Sequence, residues 1–303
     1  MGRFDPGRLA RGQAGSIASA KNWSRMNDKA PSAPPADPAL AALRAEIDAL
    51  DDAMHDLLMR RAAVVSRMAA SRAKTGGGSP LRPGREAAVL RRLLARHQGA
   101  LSRGAVVRIW RHVFMAHTAI QGGFTAAVAA SGEGAPSLAL AREHFGTQTP
   151  LRSSATPAQA LAAVSSGEAS VAVLPAPAAE GGGAWWQSLE VPRLCIVARL
   201  PFLADAARAD AALVVAPVPP DASGEDRSLL RLEAGADASR DSFARQLSEA
   251  GLTGRVVCLL RQDGRSLALA EIDGFIAAGD PRLAALHSVL LGAYAVPVAG
   301  DLP

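Results

Sequence analysis

Cysteine, tyrosine and aromatics in general are what this 303-residue chain has least of: two Cys, one Tyr and 4% Phe, Trp and Tyr together. Two thiols, Cys195 and Cys258, exclude a disulfide-stapled scaffold. Each sits in an apolar run ("RLCIVARL", "RVVCLLR") and reads as a buried, reduced cysteine in a strand, which suits the cytoplasm. No apolar run approaches the ~20 residues that a membrane span needs, so no membrane partner is expected. The net charge is +5, but the arginines are spread along helical segments. No Lys/Arg block interleaved with aromatics appears, which argues against nucleic acid as a partner. His112 and His117 are five apart, do not share a helical face as a zinc pair would, and have no evident third ligand. The glycine triplets at 76–78 and 181–183 lack the strand–loop–helix context of a phosphate loop. Neither a metal nor a cofactor is therefore expected. Residues 1–36 have no hydrophobic signal core; their Gly, Ser, Ala and Pro content reads as a disordered basic tail, and Met26 is an alternative start.

What is present is Ala, Leu and helical periodicity. From 37 to 74, Leu43, Ile47, Leu50, Met54, Leu57 and Leu58 recur at spacings of three and four, and Val64, Val65 and Met68 continue the stripe. No Gly or Pro interrupts this helix after Ala39. At 1.5 Å per residue it is about 50 Å long, more than a small domain spans, so its far end is expected on another chain. A second helix is expected over 84–97. Its start, "SPLRPGRE", is punctuated by Pro80, Pro83 and Gly84. A third is expected over 103–121, with Val106, Ile109, Trp110, Val113 and Phe114 on its buried face.

From 124 the texture changes to short apolar runs alternating with helices ("FTAAVAA", "ASVAVLPAP", "ALVVAPV"), the pattern of an α/β unit. After "PPDASGED" comes strand "RSLLRLEA", helix "SRDSFARQLSEAG", strands "GRVVCLLRQ" and "RSLALAEIDG", and an expected helix "PRLAALHSVLLG". That β-α-β-β-α order fits a ferredoxin-like sandwich. Trp185 and Trp186 read as a packing plug.

Polar residues collect where three helices should bury surface. Arg61 and Arg72 are eleven apart, three turns, so they share a face. Arg85 and Glu86 open the second helix, Gln121 ends the third one turn after His117, and Arg44 lies near the start of the first. Several cations, one carboxylate and one amide inside a small bundle are costly unless an anionic ligand completes them.

The segments "LAALRAEIDALDDAMHDLLMRRAAVVSRMAASRAK", "PLRPGREAAVLRRL" and "VVRIWRHVFMAHTAIQ" resemble the all-helical chorismate mutases over about 85 residues, 37–121. The resemblance implies an all-α, three-helix, intertwined homodimer that rearranges chorismate to prephenate without cofactor or metal. It implies Arg61, Arg72, Glu86 and Gln121 as catalytic residues, and Arg44, Arg85 and His117 as substrate-binding ones. Arg44 would come from the partner chain, Arg61 would hold a substrate carboxylate, Glu86 would accept the substrate hydroxyl, and Arg72 and Gln121 would face the ether oxygen. Three positions depart from the family pattern. Arg72 replaces a lysine, Pro83 stands where an acid is common, and His117 replaces a small hydroxyl residue.

The remainder resembles a shortened prephenate dehydratase followed by an ACT-like module. The likeness runs through "VAASGEGAPSLALAREHFG", "SSGEASVAVLPAP" and "RADAALVVAPVPPDASGEDRSLLRLEA". The family's catalytic Thr-Arg-Phe is replaced by Asp210-Ala211-Ala212, and 124–220 is about half the usual length, so no dehydratase activity is expected. The expected organisation is a multi-domain chain: tail 1–36, helical mutase domain 37–123, reduced α/β region 124–222, and ACT-like α+β domain 223–303. An aromatic amino acid is the effector such a module implies. The alternative to a mutase is a non-catalytic dimeric regulator or scaffold of an aromatic-pathway enzyme.

Overall fold

The computed structural model describes residues 37–74, 79–132, 134–178, 183–204 and 210–300. The expected disordered tail lies outside the described residues. The chain divides into two compact units, Met1–Arg60 and Arg61–Pro303. Helix α1, Pro38–Lys74, belongs to the first unit up to Arg60 and to the second from Arg61. The carboxylate of Asp37 accepts the Ala39 N–H at 3.0 Å, satisfying one of the donors that a helix start leaves open. α1 runs for 37 residues, about 55 Å, and none of them is buried in the single chain. Leu43, Ile47, Leu50, Met54 and Leu57 are each 56–63% exposed. The apolar stripe is therefore real and uncovered.

In the second unit, helices α2 (Pro83–Arg96) and α3 (Arg103–Gln121) follow. Pro83 suits the first turn of α2, where its missing N–H costs nothing. The Ser102 hydroxyl caps α3 by accepting the Ala105 N–H at 3.1 Å. Ala87, Leu90, Leu94, Val106, Val107 and Phe114 bury against Phe202 and Leu203. The buried face of α3 is displaced from the expected one. Ile109 is 42% exposed, while Arg111, His117 and Thr118 lie on the buried side. The stripe 107–111–114–118 shares a face at helical spacing, and a charged residue within it hid the pattern.

The rest is α/β. In chain order it comprises β1 (Ala126–Ala129), α4 (Pro136–Phe145), β2 (Leu151–Ser154), α5 (Pro157–Ser165), β3 (Val171–Pro175), β4 (Cys195–Leu200), β5 (Leu203–Ala204) and β6 (Ala212–Ala216). Then come β7 (Asp226–Gly235), α6 (Arg240–Glu249), β8 (Gly254–Gln262), β9 (Arg265–Asp273), β10 (Ser288–Ala295) and β11 (Val298–Ala299). Among the described residues, nine strands form one sheet in the order β2-β1-β3-β6-β4-β10-β7-β9-β8. β1 pairs in parallel with β2 and β3, and β7 pairs antiparallel with β9 and β10. Counting β7 as the first strand of the C-terminal segment, its order is 4-1-3-2, as the ferredoxin-like reading requires. One sheet crosses residue 222, so the α/β and α+β segments share a core.

The helix expected over 281–292 is not formed. Pro281–Leu283 is one short 3-10 turn, and Ser288–Ala295 is a strand. β10 lies between β4 and β7 and is covered on both faces. Such a strand is a continuous apolar run, which periodicity alone cannot separate from a buried helix. Gly292 makes the junction, with φ of +143° and a bulge beside it. A Cβ there would sit 2.1 Å from the Ile196 carbonyl oxygen, so only glycine lets β10 approach β4. Cys195 and Cys258 are buried and free, and Trp185 and Trp186 are buried in the core.

Candidate active site

α1 from Arg61 onward, α2 and α3 bring polar side chains together. Arg61 is half-buried, with its guanidinium carbon 5.7 Å from the centroid of the Phe114 ring. Its Nη1 is buried and makes no hydrogen bond. Burial pushes its pKa down, against the pull of Glu86. A guanidinium in that state is a donor held ready for an acceptor, because an unpartnered buried N–H costs about 1–3 kcal/mol, more for a charged group.

Glu86, on the first turn of α2, accepts a 2.8 Å hydrogen bond from Arg111 Nη1 on α3. Both side chains are nearly enclosed. Burial pushes the Glu86 carboxyl up; Arg111 opposes this, Asp221 adds to it, and Arg61 opposes it again. His117 points its Nδ1 at the Val113 carbonyl oxygen, 2.5 Å away, so that nitrogen carries the proton. Its Nε2 is buried and has no hydrogen-bond partner. Burial holds the ring below its usual pKa, and the Arg61 charge adds to this. At the far end, Arg72 Nη1 donates to Gln121 Oε1 at 2.7 Å, and Gln121 Nε2 donates to the His117 carbonyl at 3.1 Å. Arg61, Arg72, Glu86, His117 and Gln121 thus form one neighbourhood.

Arg85 and Arg44 are placed differently. Arg85 is exposed, and its backbone N–H donates to Asp221 Oδ2 at 3.1 Å. Arg44 lies in the first unit and is exposed. Sequence reasoning missed Arg111, although its spacing from Val107 and Phe114 marks the buried face. It also missed Asp221, which no local pattern could have tied to α2.

Such a cluster, with the three guanidinium groups of Arg61, Arg72 and Arg111, an amide and a buried carboxylate and no nucleophile among them, can bind and orient a polyanion and stabilise charge on it. The family model for chorismate mutase type II matches residues 43–122. Residues 43–122 are a chorismate mutase domain. As such it is an isomerase that converts chorismate to prephenate. No protein of curated function matches the chain. Among solved structures, GqqA, described as a novel type of quorum quenching acylase, is 18% identical with a TM-score of 0.44, covering 58% of this chain and 95% of its own. The prephenate dehydratase of Streptococcus mutans is 14% identical with a TM-score of 0.42, covering 57% and 98%. The prephenate dehydratase of Arthrobacter aurescens in complex with L-Phe is 14% identical with a TM-score of 0.44, covering 58% and 93%. In this chain the mutase domain precedes a mixed α/β region with a nine-stranded sheet and a separate β5–β11 pair among the described residues.

Proposed function

We propose that the mutase domain works through Arg61, with two copies of the chain completing each site. The observation that carries this is the buried, unpartnered Nη1 of Arg61 beside the Glu86–Arg111 pair. Chorismate is a dianion, and its rearrangement is pericyclic. The protein must hold the chair-like conformer and stabilise charge developing on the ether oxygen. Arg61 takes a carboxylate through its planar fork. Glu86 accepts the substrate hydroxyl. Arg72 and Gln121, already joined by a hydrogen bond, face the ether oxygen together. The Gln121 Nε2 has two N–H donors; one is held by the His117 carbonyl and the second donates to the ether oxygen. His117 and Arg85 flank the carboxylates, and Arg44 reaches in from the second copy.

The case for a homodimer is the uncovered stripe of α1. Leu43, Ile47, Leu50, Met54 and Leu57 form a row that a second α1 would bury. The domain boundaries 37–123, 124–222 and 223–303 are proposed as units of descent, of which the last two now share a sheet. Asp210-Ala211-Ala212 supports the absence of dehydratase activity. The 4-1-3-2 strand order fits an ACT-like module at the C-terminal segment, and an aromatic amino acid effector there is proposed on that likeness alone. Two buried reduced thiols support a cytoplasmic location. The test is product analysis: chorismate incubated with the full chain is expected to yield prephenate. Intact chorismate after incubation would favour a non-catalytic dimeric scaffold.

A further inference from the structure

Arg111 is the most deeply buried cation of the site, 5% exposed, and it faces two ways. Toward α2, its Nη1 donates to Glu86 Oε2 at 2.8 Å. The same nitrogen also lies 3.5 Å from His144 Nε2 on α4, and its guanidinium carbon lies 5.3 Å from the Phe202 ring centroid. His144 and Phe202 lie beyond residue 123, outside the mutase helices. His144 is buried and packed edge-on against Phe145 at 4.7 Å between ring centroids. Burial, reinforced by the Arg111 charge, keeps its imidazole neutral. A neutral ring can present Nε2 to a guanidinium as an acceptor.

The charged groups that face Glu86 are Arg111 from α3, Arg61 from α1 and Asp221 from the segment before β7. Arg61 holds an open N–H for a ligand. Asp221 repels the carboxylate. Arg111 is therefore the group that most strongly opposes protonation of the buried Glu86, and its 2.8 Å hydrogen bond sets the direction of the carboxylate. We propose that Arg111 is a positioning residue for the mutase reaction, and that it is itself set by His144 and Phe202, so that the α/β region is a structural part of the mutase site. This rests on the mutase reading above.

The test uses the full chain and three variants: R111M, R111K and H144F. Chorismate turnover is followed against pH, with kcat and KM separated and folding checked by thermal melting. In R111M, kcat is expected to fall on the order of 100-fold, and the acidic limb of its pH profile to move up by about one unit or more. R111K is expected to recover most of the activity, with the limb moved less. H144F is expected to lose several-fold in kcat, with KM within about twofold. A limb that stays put in R111M and R111K, or kcat within twofold of the parent in both R111M and H144F, overturns the proposal. If R111M does not fold, R111K and H144F decide by the same criteria. An infrared carboxyl band read independently of turnover separates this proposal from the mutase reading. A protonated-carboxyl signal at neutral pH is expected in R111M and absent from both the parent and R111M/E86Q. Without that signal in R111M, Arg111 does not hold Glu86 ionised. A parent chain that shows the signal contrast but leaves chorismate intact would overturn the mutase reading instead.

Discussion

Asp221 reaches back 137 positions to cap the second mutase helix: its Oδ1 accepts the Gly84 N–H at 2.9 Å. Its Oδ2 accepts the Arg85 N–H and the Arg82 Nε–H, each at 3.1 Å. The residue in the N-cap position of α2, Arg82, makes no cap of its own, so the cap comes from the far end of the chain. Nearby, Arg91 Nη2 donates to the carbonyls of Glu225 and Val296 at 2.8 and 2.7 Å. Gly84 permits the approach, since a Cβ there would lie 2.1 Å from the Asp221 carbonyl oxygen. D221A is expected to destabilise the second unit by about 1–2 kcal/mol, the usual cost of a lost helix cap. D221N is expected to lose less. Denaturant melts of the three proteins check the order.

Stability is expected to fall as the pH drops below about 6.5. Burial, with help from Arg111, holds His144 well below its ordinary value of 6.5. The unfolded chain takes up that proton near 6.5 and the folded chain does not, so acid favours the unfolded state. The contribution is complete above that pH and is lost progressively beneath it. Melting temperatures from pH 7.5 to 5.5 should drop more steeply for the parent than for H144F. Parallel slopes would mean that His144 is not the group responsible.

Leu50 lies mid-way along the uncovered stripe of α1, 57% exposed in the single chain. With that row as the dimer seam, the parent should sediment as a dimer at micromolar concentration. L50D should sediment as a monomer and lose helical circular dichroism, because an isolated helix is held mainly by packing of its apolar face. A monomeric parent would remove the second copy, and with it Arg44, from the site.

Asp210-Ala211-Ala212 leads into β6 without the hydroxyl and guanidinium of a Thr-Arg pair. Prephenate is therefore expected to accumulate when chorismate is supplied, with no phenylpyruvate above the non-enzymatic background. Phenylpyruvate formation that scales with protein concentration would show that the α/β region retains a dehydratase site.

How much was legible depended on how local the cause was. α1, α2 and α3 were readable because periodicity, Pro83 and the Ser102 cap act within a few residues. The Arg61–Arg72 face was readable from helical spacing, and Glu86 and Gln121 from their places at helix ends. Arg111 was missed because a charge inside a buried stripe is read as surface. β10 was misread as a helix because a strand covered on both faces has no alternation to show. Asp221 and His144 could not have been found at all: their roles come from contacts that span 137 and 33 positions.

The most direct measurement compares kcat/KM for chorismate in the parent, R61K and R61A, each shown to be folded and in the same oligomeric state. Arg61 Nη1 is buried without a hydrogen-bond partner and is the donor proposed to meet the substrate. R61A is therefore expected to fall at least 100-fold, about 2.7 kcal/mol of transition-state stabilisation, with R61K in between. Parent and R61A turning chorismate over at equal rates would contradict the account.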